Sequence, residues 1–409
     1  MLTEHIAECA RVYGRPDLVY FSAAKNKPHA VTAITTILQD GGLVTSQPVS
    51  MQTVSPTALD LVQRSNIKLE AFAEVQTDLR SKGVGSYIEL IWPLPGETLV
   101  SFKNGIGTLC DYDAHTIVVY PHLLLHNTPL FHRRAELELR TVPARDERAE
   151  AEIVVATREV SEAECKEGFW FFYALHAAHN TRSLRALARY LSTNHAVGYA
   201  SLYSSFAAFL RGLPKSDPVA AFMHRSVQDT AFYDLANYGR VAHLILHAER
   251  ECFDAHLWTF VESQDWWEDP MARALFEVDV INRPYVYSNT PPASLRHPME
   301  YVQVLSRSGR DLRVKLLNDD LLSELGRSVH LEDETVRSDF DTFSVSHRRR
   351  QYPFMRTQDM DYAGQYCFSM IEKIENIVPI WRPGQDGDFR AGPGIRSRRA
   401  STDVLAKAE

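Results

Sequence analysis

Cysteine is sparse and scattered in this chain of 409 residues, with five at positions 9, 110, 165, 252 and 367. No two lie close enough to form a CxxC or CxxxCxxC element, so the sequence carries no compact thiolate motif. They read as free, mostly buried thiols in a reducing compartment, or, with weaker support, as parts of a metal site assembled by the fold. No apolar run approaches the roughly 20 residues that span a bilayer. The opening MLTEHIAECARVYGRP lacks the charged and apolar regions of a secretory signal, which points to the cytoplasm. There is no excess of basic charge: the net charge of −8 speaks against a general nucleic-acid surface, the C-terminal tail being the one basic exception. A G-x-S-x-G elbow is missing, which disfavours an α/β-hydrolase. His243 and His247 in HLILH have the spacing of a zinc helix but lack the glutamate of HExxH.

What is present is an ordinary globular composition, 45% hydrophobic and 23% charged, in a chain long enough for two or three domains of roughly 150 residues. The clearest pattern lies between Leu43 and Thr98. It reads as a strand over 43–53, a long helical stretch over 55–82, a strand over 87–90 and the turn Leu94-Pro95-Gly96-Glu97-Thr98. Ser55 and Pro56 have the chemistry of an N-cap and first helical residue. Pro95 removes a ladder donor, and Gly96 is free to adopt φ > 0. Strand, helix, strand at this spacing is a βαβ unit and implies a parallel sheet. Around it, helices are predicted over 1–16, 28–39 and 100–109, and strands over 17–22 and 116–120, the last running on through HLLLHNTPLF. Residues 161–285 are helical and aromatic-rich, with Trp258, Trp266 and Trp267, and 299–345 holds the short strand-like runs YVQVLS and DLRVKLL. Residues 384–409, rich in Gly, Arg, Ser and Ala, read as a disordered tail.

In parallel sheets ligands bind at the carboxyl ends of the strands. Here those ends carry Ser50, Gln52, Thr53 and the LPGET turn. Ser50 and Gln52 alternate and so are placed on one strand face. Glu89 stands mid-strand in YIELI, where a carboxylate must be paired or wet. Glu97 reads as the start of a helix, favouring its dipole. Tyr120 and His122 close the next strand, Tyr120 equally as a core aromatic. His176 and His179, three apart in a helix beside four aromatics, read as satisfied core or pocket-lining histidines, with a metal pair, for which no carboxylate completes a motif, as the alternative. Arg348 to Arg350, with Tyr352 and Phe354, read as a solvated or salt-bridged run, with anion binding as the alternative.

The run SMQTVSPTALDLVQRSNIKLEAFAEVQTDLRSKGVGSYIELIWPLPGETLVSF resembles the second half of the catalytic barrel of radical S-adenosylmethionine enzymes, and is most similar to those carrying a cobalamin-binding domain. The features that carry the resemblance occur in order. They are the strand end around Ser50, the step Arg64-Ser65-Asn66, the run Leu94 to Thr98 and the later Asn127-Thr128-Pro129. The stretch AEIVVATREVSEAECKEGFWFFYALHAAHN looks like the family's helical C-terminal extension. Two departures stand out. Trp92-Pro93 replaces the family's glycine before Leu-Pro-Gly-Glu-Thr, and the defining CxxxCxxC loop, which holds a [4Fe-4S] cluster, is absent.

The resemblance implies an α/β fold: a partial parallel β/α barrel over 1–140, a mostly helical extension over 141–298, a small α+β segment over 299–383 and the tail from 384. It implies S-adenosylmethionine as cofactor, with Ser50 and Gln52 reaching its ribose, Glu89 its amino group or ribose or the substrate, and Tyr120 and His122 flanking its adenine or a small-molecule substrate. The cluster and cobalamin are expected from a missing N-terminal part, so the chain reads as a truncated product or one half of a split enzyme. With that half supplied, it would catalyse radical C–H functionalisation or methyl transfer. The alternative is a catalytically inactive half-barrel acting as a binding or partner subunit. Strand 18–22 is expected to form an open apolar edge that favours association.

Overall fold

The computed structural model describes residues 2–16, 19, 28–41, 43, 46–64, 68–81, 85–114, 116–144, 151–228, 231–282, 299–306, 309–316, 342–346, 381–383 and 389–391. Helices α1 (Leu2–Tyr13) and α2 (Pro28–Asp40) come first, packed together through Leu38, Leu43 and the half-buried Ile6 and Ala10. Of the strand predicted over 17–22 only Val19 is described; its N–H donates to the Leu43 carbonyl at 2.8 Å. The apolar edge placed there lies outside the described residues.

Strand β1 (Ser46–Gln52) leads to α3 (Pro56–Leu61), capped by Ser55, whose hydroxyl accepts from the Ala58 N–H. The long helix read over 55–82 is two helices, the second being α4 (Leu69–Ser81). The first ends because Gln63 turns left-handed (φ 54) while the Arg64 N–H folds back onto the Leu59 carbonyl at 2.9 Å. Ser65 and Asn66 of the family-like step lie outside the described residues. Next come β2 (Gly85–Trp92), α5 (Leu99–Asp111) and β3 (Ile117–Pro121). Strands β1, β2 and β3 form one sheet in that order, both pairings parallel, as the βαβ pattern required.

Register assigns the two faces. Ile88, Leu90 and Trp92 align with Ile117, Val119 and Pro121 on the buried face. Ser50, Glu89 and Val118 align on the other, which also carries Ile91 and Tyr120 and is largely half-buried.

The outer edge of β3 is closed by side chains. Thr116 turns its carbonyl to Ile88, so Ile117 and Val119 point their backbone groups away from β2. Asn180, in a π-helical turn over His176–Asn180, accepts from the Ile117 N–H at 3.0 Å and donates to its carbonyl at 2.8 Å. The Tyr238 hydroxyl donates to the Val119 carbonyl. One amide thus substitutes for the next strand. Asn180→Ala leaves both Ile117 groups buried without these partners, and is expected to cost roughly 2 kcal/mol in urea denaturation. An unchanged midpoint would show that the edge does not depend on that amide.

Past β3 the strand predicted to run on through HLLLHNTPLF instead breaks at His122. Its N–H donates to the Trp92 carbonyl at 3.1 Å, completing the parallel sheet, while its own carbonyl accepts from the Val154 N–H at 3.0 Å in a second sheet. That antiparallel sheet, in the order β4-β6-β5, is built from β4 (Leu123–Leu125), β5 (Arg140–Pro143) and β6 (Ala151–Ala156). The short helix α6 (Pro129–His132) follows β4, with Thr128 of Asn127-Thr128-Pro129 as its N-cap. The stretch AEIVVA, read as part of a helical extension, is therefore a strand; its consecutive Ile153-Val154-Val155 is buried.

Helices then dominate: α7 (Glu162–Leu175), α8 (Arg185–Asn194), α9 (Tyr199–Gly212), α10 (Pro218–Val227), α11 (Ala236–His243), α12 (Arg250–Glu262) and α13 (Pro270–Asn282). Helix α7 opens with a capping box between Ser161 and Glu164. Its run FWFFYAL is buried all round, which marks a central helix rather than a surface one. One hydrophobic cluster runs from Met51 through the sheet and helices to Val280. Trp92 is its hinge pin. The indole is fully buried, stacks on Phe102 at 4.3 Å and donates to the Cys165 carbonyl at 3.0 Å.

Beyond α13 come β7 (Met299–Ser306), β8 (Gly309–Leu316) and β9 (Thr342–Ser346), an antiparallel sheet matching the strand-like runs, and the antiparallel pair β10 (Trp381–Pro383) and β11 (Phe389–Ala391). Strand β11 falls within the stretch read as a disordered tail. Among the described residues, no helix is long and apolar enough to cross a membrane.

Candidate functional site

The half-buried face of β1–β3 gathers Ser50, Glu89 and Tyr120, three of the residues that the resemblance places at the cofactor. Ser50 stands directly across from Glu89, and its hydroxyl donates to the Glu89 carboxylate. The carboxylate is thus both partnered and partly wet, which removes most of the cost of placing it in a strand. Tyr120 pairs with Ile91 one step further toward the carboxyl end, on the same face and half-buried.

Gln52 does not simply follow Ser50 by alternation. A bulge shifts the register so that Gln52, not Met51, opposes Leu90, and Gln52 is left-handed with φ 67. Met51 is buried instead, at 1% exposure. The bulge turns the strand end, and the chain passes at once to Thr53.

Thr53 and Glu97 join the carboxyl ends of β1 and β2. The Thr53 hydroxyl donates to Glu97 Oε1 at 2.6 Å, and Glu97 Oε2 has no hydrogen-bond partner among the described residues. Glu97 is 2% exposed. Burial pushes its pKa up to about 7, against the smaller opposing effect of the Thr53 bond. The expectation that Glu97 starts a helix is corrected: Thr98 is the N-cap of α5, in a capping box with Ser101, and Glu97 precedes it facing inward. Gly96, as expected, takes a positive φ of 80°, and a β-carbon there would lie 2.6 Å from Leu61 Cδ1. The Gly96 N–H donates to Glu159 Oε2 at 2.9 Å. That contact had no local signal, since its partners are 63 positions apart.

His122, His176 and His179 are held by hydrogen bonds inside the fold. His122 is buried, its Nδ1 bonds the Pro93 carbonyl at 2.9 Å, and burial lowers its pKa to about 4. His176 bonds the Tyr238 carbonyl at 2.9 Å and the Asn180 amide at 3.0 Å; His179 bonds the Ala114 carbonyl at 2.7 Å and the Tyr203 hydroxyl at 2.9 Å. Both are satisfied core groups, as their aromatic setting suggested. His243 is buried, and burial lowers its pKa. The His247 side chain and the run Arg348 to Phe354 lie outside the described residues.

The four described cysteines are free thiols, with Cys110 and Cys165 buried. Burial holds the Cys165 thiol at about 12. Among the described residues no group of potential metal ligands contains more than one cysteine, so these residues do not fit a [4Fe-4S] cluster. The Ser50–Glu89 pair and Tyr120 share one face of the parallel sheet, and the Thr53–Glu97 pair joins the carboxyl ends of β1 and β2.

A parallel β/α sheet with polar groups gathered at its strand ends, backed by helices, has the ligand-binding architecture of α/β enzymes. Over 222 residues the chain is 31% identical to 2-(S-pantetheinyl)-carbapenam-3-carboxylate methyltransferase of Streptantibioticus cattleyicolor, covering 51% of this chain and 33% of that protein. It is also 31% identical over 222 residues to the cobalamin-dependent radical SAM methyltransferase TokK of Streptomyces tokunonensis, with the same coverage of 51% and 33%. The family resembled by the sequence motifs is the family these relatives define. The chain spans about a third of the length of these relatives. No protein-family profile matches it.

Proposed function

We propose that this chain is the C-terminal part of a cobalamin-dependent radical S-adenosylmethionine methyltransferase acting on a small molecule. In this reading β1–β3 are later strands of a parallel β/α barrel, and the helices from α7 onward back them. A separate N-terminal half supplies the cluster and the cobalamin domain. S-adenosylmethionine, when bound, supplies the transferable methyl group. Ser50 and Glu89 hold its ribose hydroxyls or ammonium, Gln52 borders the ribose from the bulge, and Tyr120 flanks the adenine. Glu97, close to half protonated near neutral pH, gives the strand ends a carboxyl able to donate as well as accept.

The observation that carries this reading is the Ser50–Glu89 pair on the half-buried face of a parallel sheet. Calorimetric titration of the purified chain with S-adenosylmethionine tests it. Saturable binding is expected, weakened about tenfold or more by Glu89→Gln and several-fold by Ser50→Ala, consistent with roughly 1.5–3 kcal/mol for a hydrogen bond to a charged group. Absence of binding, or equal affinity in both variants, would remove the site from this face.

The separation of the described cysteines favours a second reading, a half-barrel without catalysis that serves as a binding or partner subunit. Co-expression with a CxxxCxxC-bearing N-terminal half separates the two, since only the first predicts methyl transfer.

A further inference from the structure

A second cluster of ligand-type side chains lies away from the parallel sheet, among the helices. Cys252 and His256 stand one turn apart on α12, and Asp217 is the residue before α10. His256 Nε2 lies 2.6 Å from Asp217 Oδ2 and 3.3 Å from Cys252 Sγ, and Cys252 Sγ lies 3.5 Å from the same Asp217 oxygen. Among the described residues this is the one group of three or more His, Cys, Asp or Glu whose donor atoms converge. The side chains are mostly covered, His256 at 15% and Asp217 at 10% exposure.

The arrangement resembles a Cys-His-Asp relay, but its connectivity forbids one. A relay needs the acid on one ring nitrogen and the thiol on the other. Here the carboxylate and the thiol both approach Nε2. Three donors aimed at one point are instead what a cation requires. Tetrahedral zinc, with bonds of about 2.0–2.3 Å to N, O and S, sets its ligand atoms about 3.4–3.6 Å apart. The sulfur distances of 3.3 and 3.5 Å are close to that, and only the Asp217–His256 pair at 2.6 Å must open. The carboxylate is already oriented, because Asp217 Oδ1 accepts the Ala220 N–H at 2.9 Å as the N-cap of α10. That leaves Oδ2 for the shared point, an outer interaction of the kind that fixes metal ligands.

We infer that Asp217, Cys252 and His256 form a binding site for a zinc-class divalent cation, clamping the start of α10 to α12 with a fourth position open to water or another donor. The site lies among the helices and is independent of S-adenosylmethionine binding at the parallel sheet.

The test is metal content and cobalt spectroscopy on the full chain. After dialysis against excess zinc and then buffer, the wild-type chain is expected to retain a stoichiometric ion. Cobalt substitution is expected to give a thiolate-to-metal charge-transfer band. Cys252→Ser should abolish the band, and His256→Ala and Asp217→Asn should each weaken affinity by more than about tenfold, the scale on which even outer-shell partners act. Asp217→Asn keeps an N-cap residue and so guards against simple unfolding; Cys9→Ser should leave the band intact. Wild type holding no more ion than Cys252→Ser, or a band that survives in Cys252→Ser, would overturn the site.

Discussion

Trp92→Ala is expected to lower unfolding stability by about 3–5 kcal/mol, the range for emptying a buried large aromatic site. The indole is fully buried, stacked on Phe102 and bonded to the Cys165 carbonyl, so truncation opens a cavity and removes that hydrogen bond. Its location magnifies the effect, because Trp92 joins the last residue of β2 to α7 and so couples the parallel sheet to the helices. Gly168 shows how tight the junction is: a β-carbon there would lie 2.3 Å from Trp92 Nε1. Gly168→Ala is therefore expected to cost about 1–3 kcal/mol by overpacking. In the Trp92→Ala background the same methyl group has space, and its cost should fall to a few tenths of a kcal/mol. Guanidinium denaturation of the four proteins measures this coupling. A Gly168→Ala penalty independent of Trp92 would show that the contact is not what the glycine serves.

Glu97→Gln should remove this carboxyl's own share of the pH dependence of stability, seen as a difference from wild type that grows between about pH 4.5 and about 7. The carboxyl ionises near 4.5 in the unfolded chain and, raised chiefly by burial, near 7 in the fold. The folded state therefore holds a proton that the unfolded state has lost between those values. The stability contributed by this group is whole below about pH 4.5, declines as pH rises and is gone above about 7. A shift from 4.5 to about 7 corresponds to about 3 kcal/mol. Relative to wild type, Glu97→Gln is expected to gain stability as pH rises through this window, by up to about 3 kcal/mol on the alkaline side, less the cost of its own buried amide. Urea denaturation at closely spaced pH values checks the sign. Parallel profiles for the two proteins would mean that Glu97 ionises normally and that its second oxygen has found water.

Much of this was legible because its causes are local. The parallel sheet followed from the length of the crossovers between strands, and the α3 start from Ser55-Pro56. The left-handed Gly96 followed from LPGET. The family followed from motif order between Ser50 and Pro129, which similarity to two methyltransferases supports. Other features were illegible because they depend on partners distant in sequence. Nothing near His122 announces that its carbonyl will meet Val154 and carry the chain into a second sheet. The run AEIVVA looked like part of a helical extension until β4 and β5 supplied its flanking partners. The bulge at Gln52 depends on the register with β2, which periodicity within β1 does not contain.

What the sequence determined alone was the kind of element at each place: propensities, caps and glycine conformations act over one to four residues. What only the tertiary structure decided was which polar groups meet. Ser50 found Glu89, Thr53 found Glu97, Asn180 closed the edge of β3, and Asp217 converged with Cys252 and His256. Each pairing spans 30 or more positions. Hydrogen bonds and coordination act at about 3 Å, so their partners are fixed only once the hydrophobic core has brought the elements together.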